Sequence, residues 1–219
     1  MKTTSKIILI LFFFSVSTFL QSQSISSELI PVKELIPNIV IDLKYASTDN
    51  VFNNQKLYAS NECYLLKELI LKLKTVQDSL NNIRTLNGKN YPNGIGIKIW
   101  DGYRPRSIQY LMFEIFSDPT FVADPETGSS HNRGGAVDLT LVDLLTMKEL
   151  QMPTKFDDFT AAAGHDFPGN LLPSDVLFNR EFLKKIMTEL GGIDSYISEW
   201  WHYSLKNNKD YPLLDFQIK

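Results

Sequence analysis

From Tyr64 to Leu80 the residues Leu65, Leu66, Leu69, Ile70, Leu73, Val76 and Leu80 recur at intervals of three and four. A helix is the structure that gathers such a spacing onto one apolar face. Asn87-Gly88 and Pro92-Asn93-Gly94 then mark turns, after which Ile95-Gly96-Ile97-Lys98-Ile99-Trp100 reads as a strand. Val40 to Tyr45 alternates like a half-buried strand, Ser107 to Phe116 reads as a second helix, and Ala136 to Val142 as another strand. A third helix is expected over Arg180 to Leu190, stopped by Gly191-Gly192. Between them, Leu144 to Asn179 is weakly periodic and carries Pro153, Pro168, Gly169 and Pro173, so it is expected to be mostly loop and to border a site. Helices and strands mix without a regular βαβ rhythm, which makes the expected class α+β.

The 219 residues suit one domain. Lys+Arg 22 against Asp+Glu 25, with no basic run, argues against nucleic acid or an anionic membrane as partner, since both need clustered positive charge. Lys2 and Lys6 precede an apolar run from Ile7 through Leu20, followed by Ser22 and Ser24. This is the pattern of a secretory signal over residues 1–22, with an uncleaved anchor as the alternative. The run is short for a bilayer span, which needs about 20 apolar residues. The expectation is an exported protein in the bacterial periplasm, residues 23–219 forming the domain, with no stable membrane association once the signal is removed. Cys63 is the single cysteine, so no internal disulfide supports the fold. It is read as a small buried residue rather than a nucleophile.

Histidine is scarce: His131, His165 and His202. His131 opens His131-Asn132-Arg133-Gly134-Gly135-Ala136-Val137-Asp138, where two glycines permit a tight turn before the strand that carries Asp138. His202 closes Glu199-Trp200-Trp201-His202. Taken singly, a histidine among aromatics is usually structural, and Asp138 is readable as a turn or cap residue. Together, two His and one Asp supply the three protein ligands that a catalytic zinc keeps beside an open water position. Glu199 is then a spare acid able to take that water's proton. One geometric difficulty stands: in a regular strand, residues three apart face opposite sides, so Glu199 and His202 share a site only if the segment bends or Glu199 lies at its edge. Arg104, in Trp100-Asp101-Gly102-Tyr103-Arg104-Pro105, is either a surface ion-pair residue or, if it points toward the metal, a fixed cation for an oxyanion.

These elements together resemble the D-alanyl-D-alanine dipeptidases of the zinc D,D-peptidase group. The likeness is carried by Ser129-x-His131-x-x-Gly134-x-Ala136-x-Asp138, by Glu199-Trp200-Trp201-His202 and by Asp101-Gly102-Tyr103-Arg104-Pro105. Fainter echoes are Asp42-Leu43-Lys44-Tyr45-Ala46, Phe156-Asp157 and the ending Asp215-Phe216. The resemblance implies a single domain with a mainly antiparallel sheet flanked by helices. It implies one zinc per chain on His131, Asp138 and His202, Glu199 as general base, and Arg104 as transition-state partner. It also places Ser129, Asp157 and Tyr45 near a bound dipeptide, with His165 structural or behind the ligands. The implied reaction is hydrolysis of the small dipeptide D-alanyl-D-alanine. Export shifts the expected role toward cell-wall peptide turnover or scavenging. A carboxypeptidase acting on longer muropeptides and a non-catalytic cell-wall-binding domain are the alternatives.

Overall fold

The computed structural model describes residues 29–119 and 121–218; the expected signal segment lies outside the described residues. In chain order the elements are β1 (Leu29–Pro31), β2 (Val40–Ile41), β3 (Tyr64–Leu66), α1 (Lys67–Leu80), β4 (Thr85–Leu86), β5 (Lys89–Asn90), β6 (Ile95–Asp101), α2 (Arg106–Ile115), β7 (Ala136–Asp143), α3 (Ser174–Lys185), β8 (Asp194–Tyr196) and β9 (Glu199–Ser204). Among the described residues, five strands form the main sheet in the order β2-β6-β7-β9-β8. Only the β2–β6 pair is parallel, so the architecture is α+β with a mainly antiparallel sheet.

One face of the central strands carries Ile95, Ile97, Ile99, Val137, Leu139 and Leu141, all fully buried. They join the apolar stripe of α1 (Leu69, Ile70, Leu73, Val76, Leu80) in one core. Gln77 sits within that stripe and is buried. Its Oε1 accepts from the Ile97 N–H (2.8 Å) and its Nε2 donates to the Ile95 carbonyl (3.3 Å). Strand β2 pairs only with Lys98 and Ile99, so Gln77 satisfies the backbone of β6 that β2 is too short to reach.

The opposite face is polar. Lys98 pairs with Thr140, and Asp101 with Asp138; Asp138 pairs in turn with His202. Directly opposed residues share a face, so Asp101, Asp138 and His202 form a row across three strands.

The boundaries differ from expectation in three places. Tyr64 to Leu66 form a strand paired with β1, and the helix begins at Lys67; Leu65-Leu66 suits either period. The expected strand over Val40 to Tyr45 ends at Ile41, and Lys44–Ala46 form a 3-10 turn that buries Tyr45. Helix α3 starts at Ser174, inside the stretch expected to be loop, and continues through a π-helical turn, Ile186–Leu190. Its first half escaped the hydrophobic pattern because Asn179 and Arg180 interrupt the buried face between Val176 and Leu183. They donate to the loop carbonyls of Gln151, Gly164 and Phe167.

Candidate active site

Two irregularities in the sheet assemble the site. Between β6 and β7 the register passes from Ile99↔Leu139 to Asp101↔Asp138, leaving Trp100 as an extra residue. Regular alternation would put Asp101 on the apolar face with Ile99; the bulge turns it to the face of Asp138. Between β8 and β9 the register passes from Tyr196↔Glu199 to Ser195↔Tyr203. Trp200, Trp201 and His202 therefore have no counterpart on β8, and both tryptophans are buried. Glu199 is the first residue of β9, just past a tight hairpin turn. The strand edge and the bulge together remove the conflict set by a three-residue spacing.

Of the two glycines that follow Arg133, Gly134 makes the tight turn, while Gly135 keeps a φ outside the left-handed region. Gly134 has φ of 69° and ends the His131–Arg133 3-10 turn, a conformation that costs glycine little. The chain then enters β7 and delivers Asp138 opposite His202.

A cleft of about 530 Å³ is lined by Tyr45, Arg104, Ser129, His131, Asp138, Asp157, Glu199 and His202. Every site residue expected from the sequence thus lies in one cavity. Phe121, Phe159, Tyr196 and Trp201 also line it. A larger cleft of about 940 Å³ lies alongside, sharing Asp157 but none of the His/Asp group.

His131, Asp138 and His202 form a group able to hold a metal ion. The His131 Nδ1 lies 2.8 Å from the Gly102 carbonyl. A carbonyl only accepts, so Nδ1 carries the hydrogen and Nε2 keeps its lone pair. That Nε2 faces Asp138 Oδ2 at 3.3 Å and His202 Nδ1 at 3.2 Å; His202 Nδ1 is 2.9 Å from Asp138 Oδ1. Lone pair against carboxylate is repulsive without a cation or proton between them. Tetrahedral zinc with bonds of about 2.0–2.1 Å needs donors about 3.3 Å apart; two separations match this and the third is tighter. The residues fit the ion.

The electrostatics follow from burial. Desolvation opposes charge on Asp138, but the adjoining His131 and His202 hold its carboxyl well below the usual range. Burial pushes Glu199 up to about 7, against the pull of His202; its Oε2 is 3.9 Å from His202 Nδ1. Burial, with the Asp138 charge adding, pushes Asp157 up to about 8. Tyr45 Oη donates to both Asp157 oxygens, at 3.2 and 3.0 Å. Asp157 has φ of 56°, a left-handed conformation that Asp tolerates better than most residues.

Arg104 is buried, not a surface residue. Its Nε and Nη2 grip Asp101 Oδ2 at 3.2 and 2.6 Å, Nη1 donates to Gln109 (2.8 Å), and the guanidinium lies 5.3 Å from the centre of the Tyr45 ring. Burial works against its charge, but Asp101 more than offsets that and raises its pKa. Ser129 Oγ accepts from the His131 N–H at 3.2 Å. Asp101 is the residue that sequence reasoning passed over. It stands inside the Asp-Gly-Tyr-Arg-Pro stretch, where the sequence marks it only as part of the abrupt end of the strand before Arg104. His165 is outside the cleft lining, buried against Tyr203. Cys63 is a free thiol, buried beside Gly102, and burial pushes its pKa up.

Residues 25–218 match the M15 peptidase family described as D-ala-D-ala dipeptidase. The chain is 34% identical to the D-alanyl-D-alanine dipeptidase of Escherichia coli (strain K12), over 88% of this chain and 92% of that protein. It is 29% identical to the D-alanyl-D-alanine dipeptidase of Enterococcus faecium, over 85% and 96%. Against the protein of the same name in Streptomyces coelicolor it is 31% identical, over 83% and 96%. With a family match over residues 25–218 and a His-Asp-His group set in one cleft, the chain belongs to the D-Ala-D-Ala dipeptidase family of M15 metallopeptidases.

Proposed function

We propose that the protein is an exported, zinc-dependent dipeptidase that hydrolyses D-alanyl-D-alanine to D-alanine in cell-wall peptide turnover. The observation that carries this reading is the convergence of His131 Nε2, the Asp138 carboxylate and His202 Nδ1, with Glu199 beside them. The family match supplies the substrate class, and the basic-then-apolar start of the chain supports export.

His131, Asp138 and His202 hold the metal, which when bound acidifies a water and polarises the scissile carbonyl. Glu199 takes the proton of the attacking water and returns it to the leaving amine. Its raised pKa suits both halves of that exchange; a dication nearby draws the value down toward the carboxylate form. Arg104, immobilised by Asp101 and Gln109, presents fixed positive charge to the tetrahedral oxyanion. Asp157 and Tyr45 receive the substrate ammonium, whose charge favours the ionised form of Asp157. Ser129 lines the same cleft and contributes a hydroxyl to the dipeptide.

The test is a paired assay of zinc content and dipeptide hydrolysis. Glu199→Ala should keep stoichiometric zinc and lose turnover by about 10²–10⁴-fold, the usual worth of a general base. His131→Ala should lose the zinc itself. A Glu199→Ala protein as active as wild type would sink the assignment. Release of D-alanine from a muropeptide pentapeptide but not from the dipeptide would convert the reading to a carboxypeptidase.

A further inference from the structure

The last residues of the chain take no part in the reaction proposed above, yet they touch the segments that carry it. Arg104 and His131 sit on two irregular loops, outside the sheet ladder. Three hydrogen bonds join these loops: Arg104 N–H to the His131 carbonyl (3.1 Å), His131 Nδ1–H to the Gly102 carbonyl (2.8 Å), and Asn132 Nδ2 to the Arg104 carbonyl (2.9 Å). Asn132 is fully buried, and its Oδ1 also accepts from the Ser129 N–H (2.7 Å).

The C-terminal segment spans both loops from outside. Leu214 donates its N–H to the Asn132 carbonyl (2.8 Å) and accepts from the Arg106 N–H with its own carbonyl (3.0 Å). One residue thus bridges the His131 turn and the start of α2, directly after the Arg104 loop, with both of its backbone groups. Next to it, Asp215 Oδ1 accepts from the Ser107 N–H (2.8 Å). Helix α2 follows Pro105, which offers no side-chain cap, so it borrows one from the C-terminus. Phe216 stacks on Tyr103, with ring centres 4.5 Å apart, and its carbonyl accepts from the Tyr103 hydroxyl (3.1 Å). Leu213 covers Gly128, where an added Cβ would lie 2.2 Å from the Leu213 Cδ2.

We propose that residues 213–216 are a strap that sets the position of Arg104 relative to His131, with Asn132 as the positioning residue through which it acts. The inference rests on reading His131 as a metal ligand and Arg104 as the oxyanion partner. One backbone bond ties each loop to β3, Tyr103 N–H to the Tyr64 carbonyl and Leu66 N–H to the Gly134 carbonyl (2.9 Å each); the rest of their spacing is set by the bonds between them and to the C-terminal segment. A misplacement of about 1 Å in such a pair costs about 10²-fold in rate.

Asp215 and Phe216 are exposed, which allows the strap to be loosened without opening the core. The experiment compares wild type, the Asp215→Ala/Phe216→Ala double variant and Asp215→Asn. Each is measured for zinc affinity of the metal-free protein by chelator competition, for kcat and KM well below the melting temperature, and for the melting temperature itself. The double variant should lose about ten-fold or more in kcat and bind zinc more weakly, with KM within about two-fold. Asp215→Asn keeps an equivalent cap and should retain both properties. A lowered melting temperature with unchanged kcat and zinc affinity would make the strap a stabilising element only, and overturn the proposal. Zinc affinity needs no substrate: a wild type that binds zinc but spares the dipeptide overturns the functional reading, and leaves the strap to be judged on metal binding.

Discussion

Asp101 has no exposed surface, and both of its oxygens are claimed. Oδ1 accepts from Tyr58 Oη (2.7 Å) and the Gly102 N–H (2.9 Å), and Oδ2 from Arg104. It is the residue that makes a buried arginine tolerable in the cleft. Removing one partner of a buried pair leaves an uncompensated charge and costs about 3–5 kcal/mol, whereas removing both is far cheaper. Asp101→Leu should therefore lower the urea unfolding free energy by that amount. Adding Arg104→Met should recover more than half of the loss, while hydrolysis stays abolished. Additive losses in this cycle would show that the two charges do not depend on each other. The local sequence held the Asp and the Arg three positions apart, but nothing in it said that the pair was buried.

At the scale of elements, the site depends on strands that break their own period. The Trp100 bulge in β6 and the extra residues in β9 bring Asp101, Asp138, Glu199 and His202 to one side. A regular ladder would have divided them between the two faces. Helix α1 serves the same strand from behind through Gln77. Gln77→Met preserves the helix and its bulk but leaves the Ile97 N–H buried without a partner. Such a loss costs about 1–3 kcal/mol. The variant should unfold at lower urea by that margin and yet keep wild-type kcat per folded molecule at 25 °C, since Gln77 sits on the face away from the cleft. A fall in kcat without a loss of stability would contradict this division of labour. The α1 stripe was readable from spacing alone. The first half of α3 was not, because the residues it buries are a lone Val176 and Asn179, which serves a loop carbonyl.

Across the whole molecule, the sheet separates stability from chemistry: an apolar face against α1 and a polar face under the cleft. His165 belongs to the structural side. Neither ring nitrogen has a hydrogen-bond partner among the described residues. Burial, with Lys184 and Arg180 adding, holds its pKa down to about 4 from 6.5. Between those values the unfolded chain binds a proton that the folded protein refuses, so stability rises with pH across the window. The contribution is complete above about pH 6.5 and is lost as the pH falls toward 4, at most about 3 kcal/mol. Urea unfolding at pH 7.5 and pH 5 should show wild type losing about 2 kcal/mol more than His165→Leu. Equal losses would mean that the ring is protonated or hydrated in the folded state.

The sequence by itself determined the α+β class, the α1 stripe, the β6 and β7 strands, and the inventory of metal-type and acid–base residues. These follow from local spacing and from the rarity of histidine, both of which are properties of the chain before it folds. Only the tertiary structure decided that Glu199 shares a side with His202, that Asp101 joins Asp138 and neutralises Arg104, and that the C-terminal segment binds the two loops together. The physical reason is the same in each case. A bulge, a buried ion pair and a bridging backbone group are relations between segments far apart in sequence, and periodicity within one segment carries no record of them.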